Sequence, residues 1–167
     1  MYRLVILSFV AVSALAEELG MKECGRMFHP HTIHCCKKTS EAKEKFMMDE
    51  DLQDCFKNAG RPNPVTCEHE VCIAQKKGFA TKDNQLDYEK LEEVMTKEID
   101  DKELLADLKT NCIDGDLEKF GPPDFCEFMK MRHCVSMQML NHCPDWKEDG
   151  ECSKLKGVVA DCVKLFA

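Results

Sequence analysis

Apolar side chains recur every three or four positions through most of this chain, in short runs closed by Pro, Gly or Asp, and that periodicity predicts a succession of short helices. Ser40 opens a helix over Glu41 to Met48. A second covers Glu50 to Ala59 and stops at Gly60; a third has Pro64 in its first turn, runs to about Lys77 and stops at Gly78. Asp87 caps Tyr88 to Lys97, where Leu91, Val94 and Met95 share a face, and Asp101 opens Glu103 to about Thr110 with Leu104, Leu105 and Leu108 on one side. Pro122 and Pro123 start the most apolar helix, Asp124 to about Asn141, with Phe125, Phe128, Met131, Val135 and Met139 at spacings of three or four. A last helix, Glu151 to about Phe166, carries Leu155, Val158, Val159, Cys162 and Leu165 on one face. Alternating strand patterns and low-complexity linkers are essentially absent, so the expected fold is all-α, a compact bundle of six to seven short helices.

The first segment is of another kind. Met1 to Ala16 has a basic residue, Arg3, an apolar run from Leu4 to Val12, and a closing Ala14-Leu15-Ala16, the pattern of a cleavable secretory signal, which puts the mature start at Glu17. The run is shorter than the roughly 20 residues of a membrane helix, so a secreted product without stable membrane insertion is expected. All twelve cysteines (Cys24, Cys35, Cys36, Cys55, Cys67, Cys72, Cys112, Cys126, Cys134, Cys143, Cys152, Cys162) follow that signal, an even number that reads as six disulfides. Zinc is the competing use, but only Cys67 and Cys72 have ligand-like spacing and no second pair answers them. Six bridges exceed what a chain of this length needs in order to fold. An internal cavity offset by crosslinks is one reading, and extracellular durability is the plainer one. The net charge of −8 becomes one unit more negative without Arg3, which disfavours nucleic acid and anionic membranes as partners. No Asn lies in an N-glycosylation sequon.

The stretch Cys67-Glu-His-Glu-Val-Cys72-Ile-Ala-Gln-Lys-Lys-Gly78-Phe79-Ala-Thr-Lys-Asp83-Asn-Gln-Leu-Asp87 resembles insect odorant-binding proteins of the pheromone-binding and general odorant-binding type. In them a helix with two cysteines ends at a Lys-x-Gly stop and passes through a polar loop to the next helix. Asp124-Phe-Cys126, Cys134 and Cys143-Pro144 resemble the family's C-terminal half. Cys35-Cys36-Lys37, the proline after Cys143, and Cys152 and Cys162 resemble its Plus-C subgroup, with residues 17–167 as the domain and about 144–167 as the extension. The resemblance implies three interlocking bridges: Cys36 or Cys35 to Cys72, Cys67 to Cys126, and Cys112 to Cys134. Cys67 and Cys72 have four residues between them where the family has three, and an extra residue turns a helical side chain by about 100°. Either the helix starts after Cys67, or it is distorted, or Cys67 is not the framework cysteine; a framework shifted by one cysteine gives Cys67 to Cys134 and Cys112 to Cys143.

Other motifs carry less. His29-Pro-His31-x-x-His34-Cys35-Cys36 is the densest histidine cluster, but proline breaks any helical arrangement of it and a surface segment is favoured over a copper or zinc site. Lys37 to Ser40 stand where a secreted phospholipase A2 requires its His-Asp pair. Asp83-Asn-Gln85-Leu-Asp87 begins like a calcium loop yet has Tyr88 and Val94 where Gly and Glu are needed, so a capping turn is favoured. Ser40, Ser136 and Ser153 lie outside any nucleophile elbow. No metal, cofactor or enzymatic activity is expected.

Methionine has two readings. Met129, Met131, Met137 and Met139 share a helix, with Met47, Met48 and Met95 elsewhere, and flexible thioethers serve both ordinary cores and adaptable pockets. The resemblance favours the pocket, with Phe46, Phe56, Ile73, Phe79, Leu91, Val94, Met95, Leu105, Phe125, Phe128, Met131, Val135 and Met139 as its lining. It implies a monomeric or homodimeric carrier that ferries small hydrophobic molecules, odorants or pheromones, through sensillum lymph or another body fluid, with a chemosensory receptor as a further partner. His69, His133 and His142 are the candidates for protonation that loosens the bundle. The segment Val163 to Ala167 is read as the end of a plain helix in preference to a flap over the pocket. The rival reading is a secreted salivary, venom or immune factor that binds a protein partner through its acidic surface and has no pocket.

Overall fold

Local chemistry sets several of the helix ends in this protein. The computed structural model describes residues 24, 25, 27, 32–37, 49–57 and 67–166, and among these are six α-helices and no strand longer than an isolated bridge: α1 (Gln53–Lys57), α2 (Glu68–Lys77), α3 (Tyr88–Glu98), α4 (Lys102–Leu108), α5 (Glu127–Asn141) and α6 (Cys152–Phe166). The signal segment, the helix expected over residues 41–48 with Phe46, Met47 and Met48, His29, His31 and Pro64 all lie outside the described residues, as does the side chain of Phe56.

The Asp87 carboxylate accepts from the Lys90 amide and opens α3, while Asp101 accepts from the amides of Glu103 and Leu104 and opens α4. Gly78 ends α2 with φ +82°, a conformation that costs glycine little, and donates its amide to the carbonyls of Ala74 and Gln75. The polar stretch from Asp83 is the capping turn: Asn84 is left-handed at φ 58°, Gln75 donates to its side chain, and Ala80 and Leu86 form a single antiparallel bridge.

Three boundaries and one buried face differ from the periodicity. The helix expected from Glu50 begins as a 3-10 turn, Glu50–Leu52, before α1 takes over. Pro122 and Pro123 open a turn closed by the Phe125 amide on the Pro122 carbonyl; Cys126 is extended and bonded to Cys67, so α5 starts only at Glu127. The helix expected to run to Thr110 leaves α geometry at Leu108 and continues as a π-helical turn over Lys109–Ile113. In α6 the inward face is Cys152, Val159, Cys162 and Phe166, while Leu165 is 49% exposed. Phe166 takes the inward place because its ring stacks on Phe120 at 5.2 Å, a core residue in the 3-10 turn Leu117–Phe120 that the periodicity missed.

The core is organised around α5. Nine of its fifteen residues are buried, including Lys130, His133 and Gln138, and it packs against α2, α4, α6, the π turn and the 3-10 turn at Phe120. A helix buried on most sides has no simple amphipathic stripe.

All twelve cysteines are bonded. Cys67–Cys126 and Cys112–Cys134 are the second and third bridges implied by the resemblance, and α2 begins after Cys67, which absorbs the extra residue before Cys72. The first implied bridge is corrected. Cys72 pairs with Cys55, while Cys35 and Cys36 pair with Cys152 and Cys143. Together with Cys24–Cys162 these last two tie the N-terminal segment to the C-terminal region across 107 to 138 residues. In the loop-entropy view each such closure contributes up to about 5 kcal/mol. Backbone bonds reinforce the same seam, from Lys37 N–H to the Asp145 carbonyl and from Lys147 N–H to the Cys35 carbonyl, beside a Lys37–Asp145 ion pair. Six disulfides belong to an oxidising compartment outside the cytosol. Among the described residues no helix is long and apolar enough to cross a membrane.

Candidate functional site

The turn at residues 99–101 folds α4 back beside α3, and a partly open cavity of about 240 Å³ lies between them and the π turn. Residues one helical turn apart build it. From α3 come Glu92, Met95 and Thr96; from α4 and the π turn come Lys102, Leu105, Ala106, Lys109 and Ile113. Met95, Leu105, Ala106 and Ile113 make its apolar part. Leu104 and Leu108, on the other side of α4, are buried in the core and hold that helix in place.

The charged rim is partly self-neutralised. Lys109 Nζ donates to Glu92 Oε1, and this bond with its charge attraction raises the lysine above its ordinary pKa, so the lysine is charged at neutral pH. The position of Lys109 and Ile113 depends on the π turn, which the Cys112–Cys134 disulfide fastens to α5. A β-carbon on Gly115 would lie 2.2 Å from the Asn111 carbonyl oxygen, so only glycine lets the chain leave the turn this closely. Outside the cleft, the Tyr88 hydroxyl donates to Glu127 at 2.6 Å and pins the start of α3 to the start of α5. Burial, then that bond, raises the tyrosine pKa. A second, more open depression of about 570 Å³ adjoins the cleft and is bordered by Glu89, Glu92, Glu93, Thr96 and Lys97.

Of the lining residues expected from the sequence, Met95 and Leu105 meet in the cleft. Leu91, Phe128 and Met131 are buried in the main apolar cluster together with Met95, and Phe79, Leu105, Val135 and Met139 pack against it half-buried. Ile73, Val94 and Phe125 are half-buried, with the Phe125 ring 5.6 Å from that of His133. The methionines of α5 fill core: Met129, Met131 and Met137 are buried and Met139 packs half-buried against the core. Glu92, Thr96, Lys102, Ala106, Lys109 and Ile113 were not singled out by the sequence. Their signal was available in the spacing of Lys102, Ala106 and Lys109, which puts an apolar patch between two lysines.

The histidines are separately engaged. His133 Nδ1 donates to the Phe120 carbonyl at 2.9 Å, and burial lowers its pKa more than that bond raises it. His142 Nε2 meets Asp107 Oδ2 at 2.7 Å and joins the end of α5 to α4. His69 stands 3.8 Å from Glu70, which is paired with Arg132 at 3.0 Å. His34 is exposed on the turn Thr32–Cys35, and its neighbour Cys35 is consumed by a disulfide. Among the described residues no group of three or more His, Cys, Asp or Glu side chains is arranged to hold a metal.

None of the protein-family models, characterised proteins or solved structures compared with this chain matches it.

Proposed function

We propose that the protein is a secreted carrier that takes up small hydrophobic molecules, of the size of odorants or pheromones, and transports them through extracellular fluid. The observation that supports this reading is the cleft: an apolar patch of Met95, Leu105, Ala106 and Ile113, bordered by a few charged groups, on a frame fastened by disulfides. Its volume of about 240 Å³ falls below the usual range of pockets for drug-sized ligands, roughly 300–1,000 Å³, and so suits a smaller molecule. Binding rests on burial of the ligand's apolar surface, with the rim groups fixing orientation.

The test is displacement of a fluorescent apolar probe from oxidised, delipidated protein by a panel of volatile and fatty compounds. Saturable uptake with dissociation constants near 1 μM, about −8 kcal/mol, is the expected result. A monodisperse, fully disulfide-bonded sample that takes up no probe overturns the carrier reading in favour of a secreted interaction protein.

A further inference from the structure

We propose that the cleft selects an amphiphile with an anionic head, the apolar chain lying on Leu105, Ala106 and Ile113 and the head meeting the Lys102 ammonium. This deepens the carrier reading and rests on it. Lys102, Ala106 and Lys109 follow one stripe of the helix at spacings of four and three, so the two ammonium groups stand at opposite ends of the apolar patch, about 10 Å apart along the axis. They are not equivalent. Lys109 is already committed to Glu92, whereas Lys102 is exposed and makes no ion pair or hydrogen bond with any described residue.

Among the residues that line the cleft the balance of charge favours an anion, set against Asp101 and Glu103 beside Lys102 in the chain. With Glu92 answered by Lys109, the remaining charge among the lining residues is the single positive one of Lys102, on a chain whose overall charge is −8. Thr96 adds a hydroxyl on the facing helix. The adjoining depression offers no such positive excess: it is bordered by Glu89, by Lys97 and by a Glu93 already paired with Lys90. A π-helical turn, rare and concentrated at functional positions, supplies Ile113 at the far end of the patch. The plain alternative is a lysine whose stem covers apolar surface while its head stays in water, with no preference for any ligand charge.

The experiment measures displacement of the same apolar probe by decanoate, decan-1-ol and decylamine, at low salt and with 0.5 M NaCl added. Decanoate is expected to bind about fivefold more tightly than decan-1-ol, the scale of one exposed ion pair, and added salt is expected to remove the difference. Lys102→Gln is expected to abolish the preference for decanoate over decan-1-ol. Ala106→Trp, which fills the cleft from an exposed helix position, is expected to remove uptake of both, with an unaltered helical circular-dichroism spectrum as the check on folding. Equal affinity for decanoate and decan-1-ol, or a preference that survives Lys102→Gln, overturns the anionic-head inference and leaves the carrier reading standing. Uptake unchanged by Ala106→Trp overturns the assignment to this cleft, and no uptake of any ligand overturns the carrier reading itself.

Discussion

Cys67 and Cys126 occupy equivalent places, each the residue just before the first turn of a helix, and their sulfurs are bonded to each other. Neither side chain caps its helix, because the bond already engages it. The disulfide therefore joins two helix starts 59 residues apart in the chain and takes the place of two caps. Loop closure of that length is worth about 4 kcal/mol in the entropic view. Replacing both cysteines by alanine is expected to cost about that much. Replacing both by serine is expected to cost less, by about 1 kcal/mol at each helix, because a hydroxyl at the capping position accepts from the exposed amides of the first turn. Urea unfolding of the two double variants measures the difference; equal midpoints would mean that the helix starts gain nothing from capping.

Gly78 and Gly115 should respond to alanine for different reasons. At Gly78 there is open space but φ is +82°, so Gly78→Ala is expected to cost about 1 kcal/mol from backbone strain and to leave ligand uptake intact. At Gly115 the added carbon meets the Asn111 carbonyl at 2.2 Å, and backbone atoms cannot give way cheaply. Gly115→Ala is expected to cost about 1–3 kcal/mol and also to weaken probe binding, because Lys109 and Ile113 sit on the turn it disturbs. Unfolding midpoints and probe titration on the two variants separate strain from site damage.

What was legible in the sequence was whatever local chemistry decides. Asp87, Asp101 and Gly78 mark real helix ends because capping and left-handed stops need only a few neighbouring atoms. The π turn was illegible, since a wider turn after Leu108 leaves the spacing of Leu104, Leu105 and Leu108 unchanged. Periodicity could not choose between adjacent apolar residues either. Phe166 faces inward and Leu165 does not, because Phe120, far away in sequence, offers a ring to stack on. The pairing of Cys72 with Cys55 rather than Cys35 or Cys36 is likewise a long-range outcome, in which the N-terminal segment joins the C-terminal region. Met95 and Leu105 were legible as apolar positions, whereas nothing local singles out Lys102 and Lys109 until α3 is laid beside them.

His133 gives the fold a defined acid dependence. Buried, with its Nδ1 proton on the Phe120 carbonyl, it has a pKa below its ordinary 6.5, chiefly from desolvation. The unfolded chain then binds a proton at this residue more readily than the folded one, so stability is full above pH 6.5 and falls as the pH drops from there toward the folded-state pKa. Urea midpoints for the parent protein are expected to decline between pH 7 and pH 5, and His133→Gln is expected to flatten part of that decline. A parent protein equally stable at both values would leave His133 no role in any acid-triggered loosening of the bundle.

Lys130 is the other buried polar group whose removal has a calculable sign. Its side chain is 5% exposed and its ammonium meets Glu118 at 2.7 Å, while Glu118 itself is 73% exposed. The two partners are thus unequal: the lysine has given up its water and the glutamate has kept most of it. Removing the glutamate leaves a poorly solvated cation in the core, so Glu118→Ala is expected to destabilise by about 1–3 kcal/mol, with the lower end favoured because water can enter where Glu118 stood. Removing the lysine leaves only an exposed carboxylate, and Lys130→Met keeps most of the buried stem, so that variant is expected to lie within about 1 kcal/mol of the parent or above it. The ordering of the two variants in thermal or urea unfolding is the decisive reading. If Lys130→Met proves the more damaging, the ammonium holds the Leu117–Phe120 turn on α5 by more than this one bond.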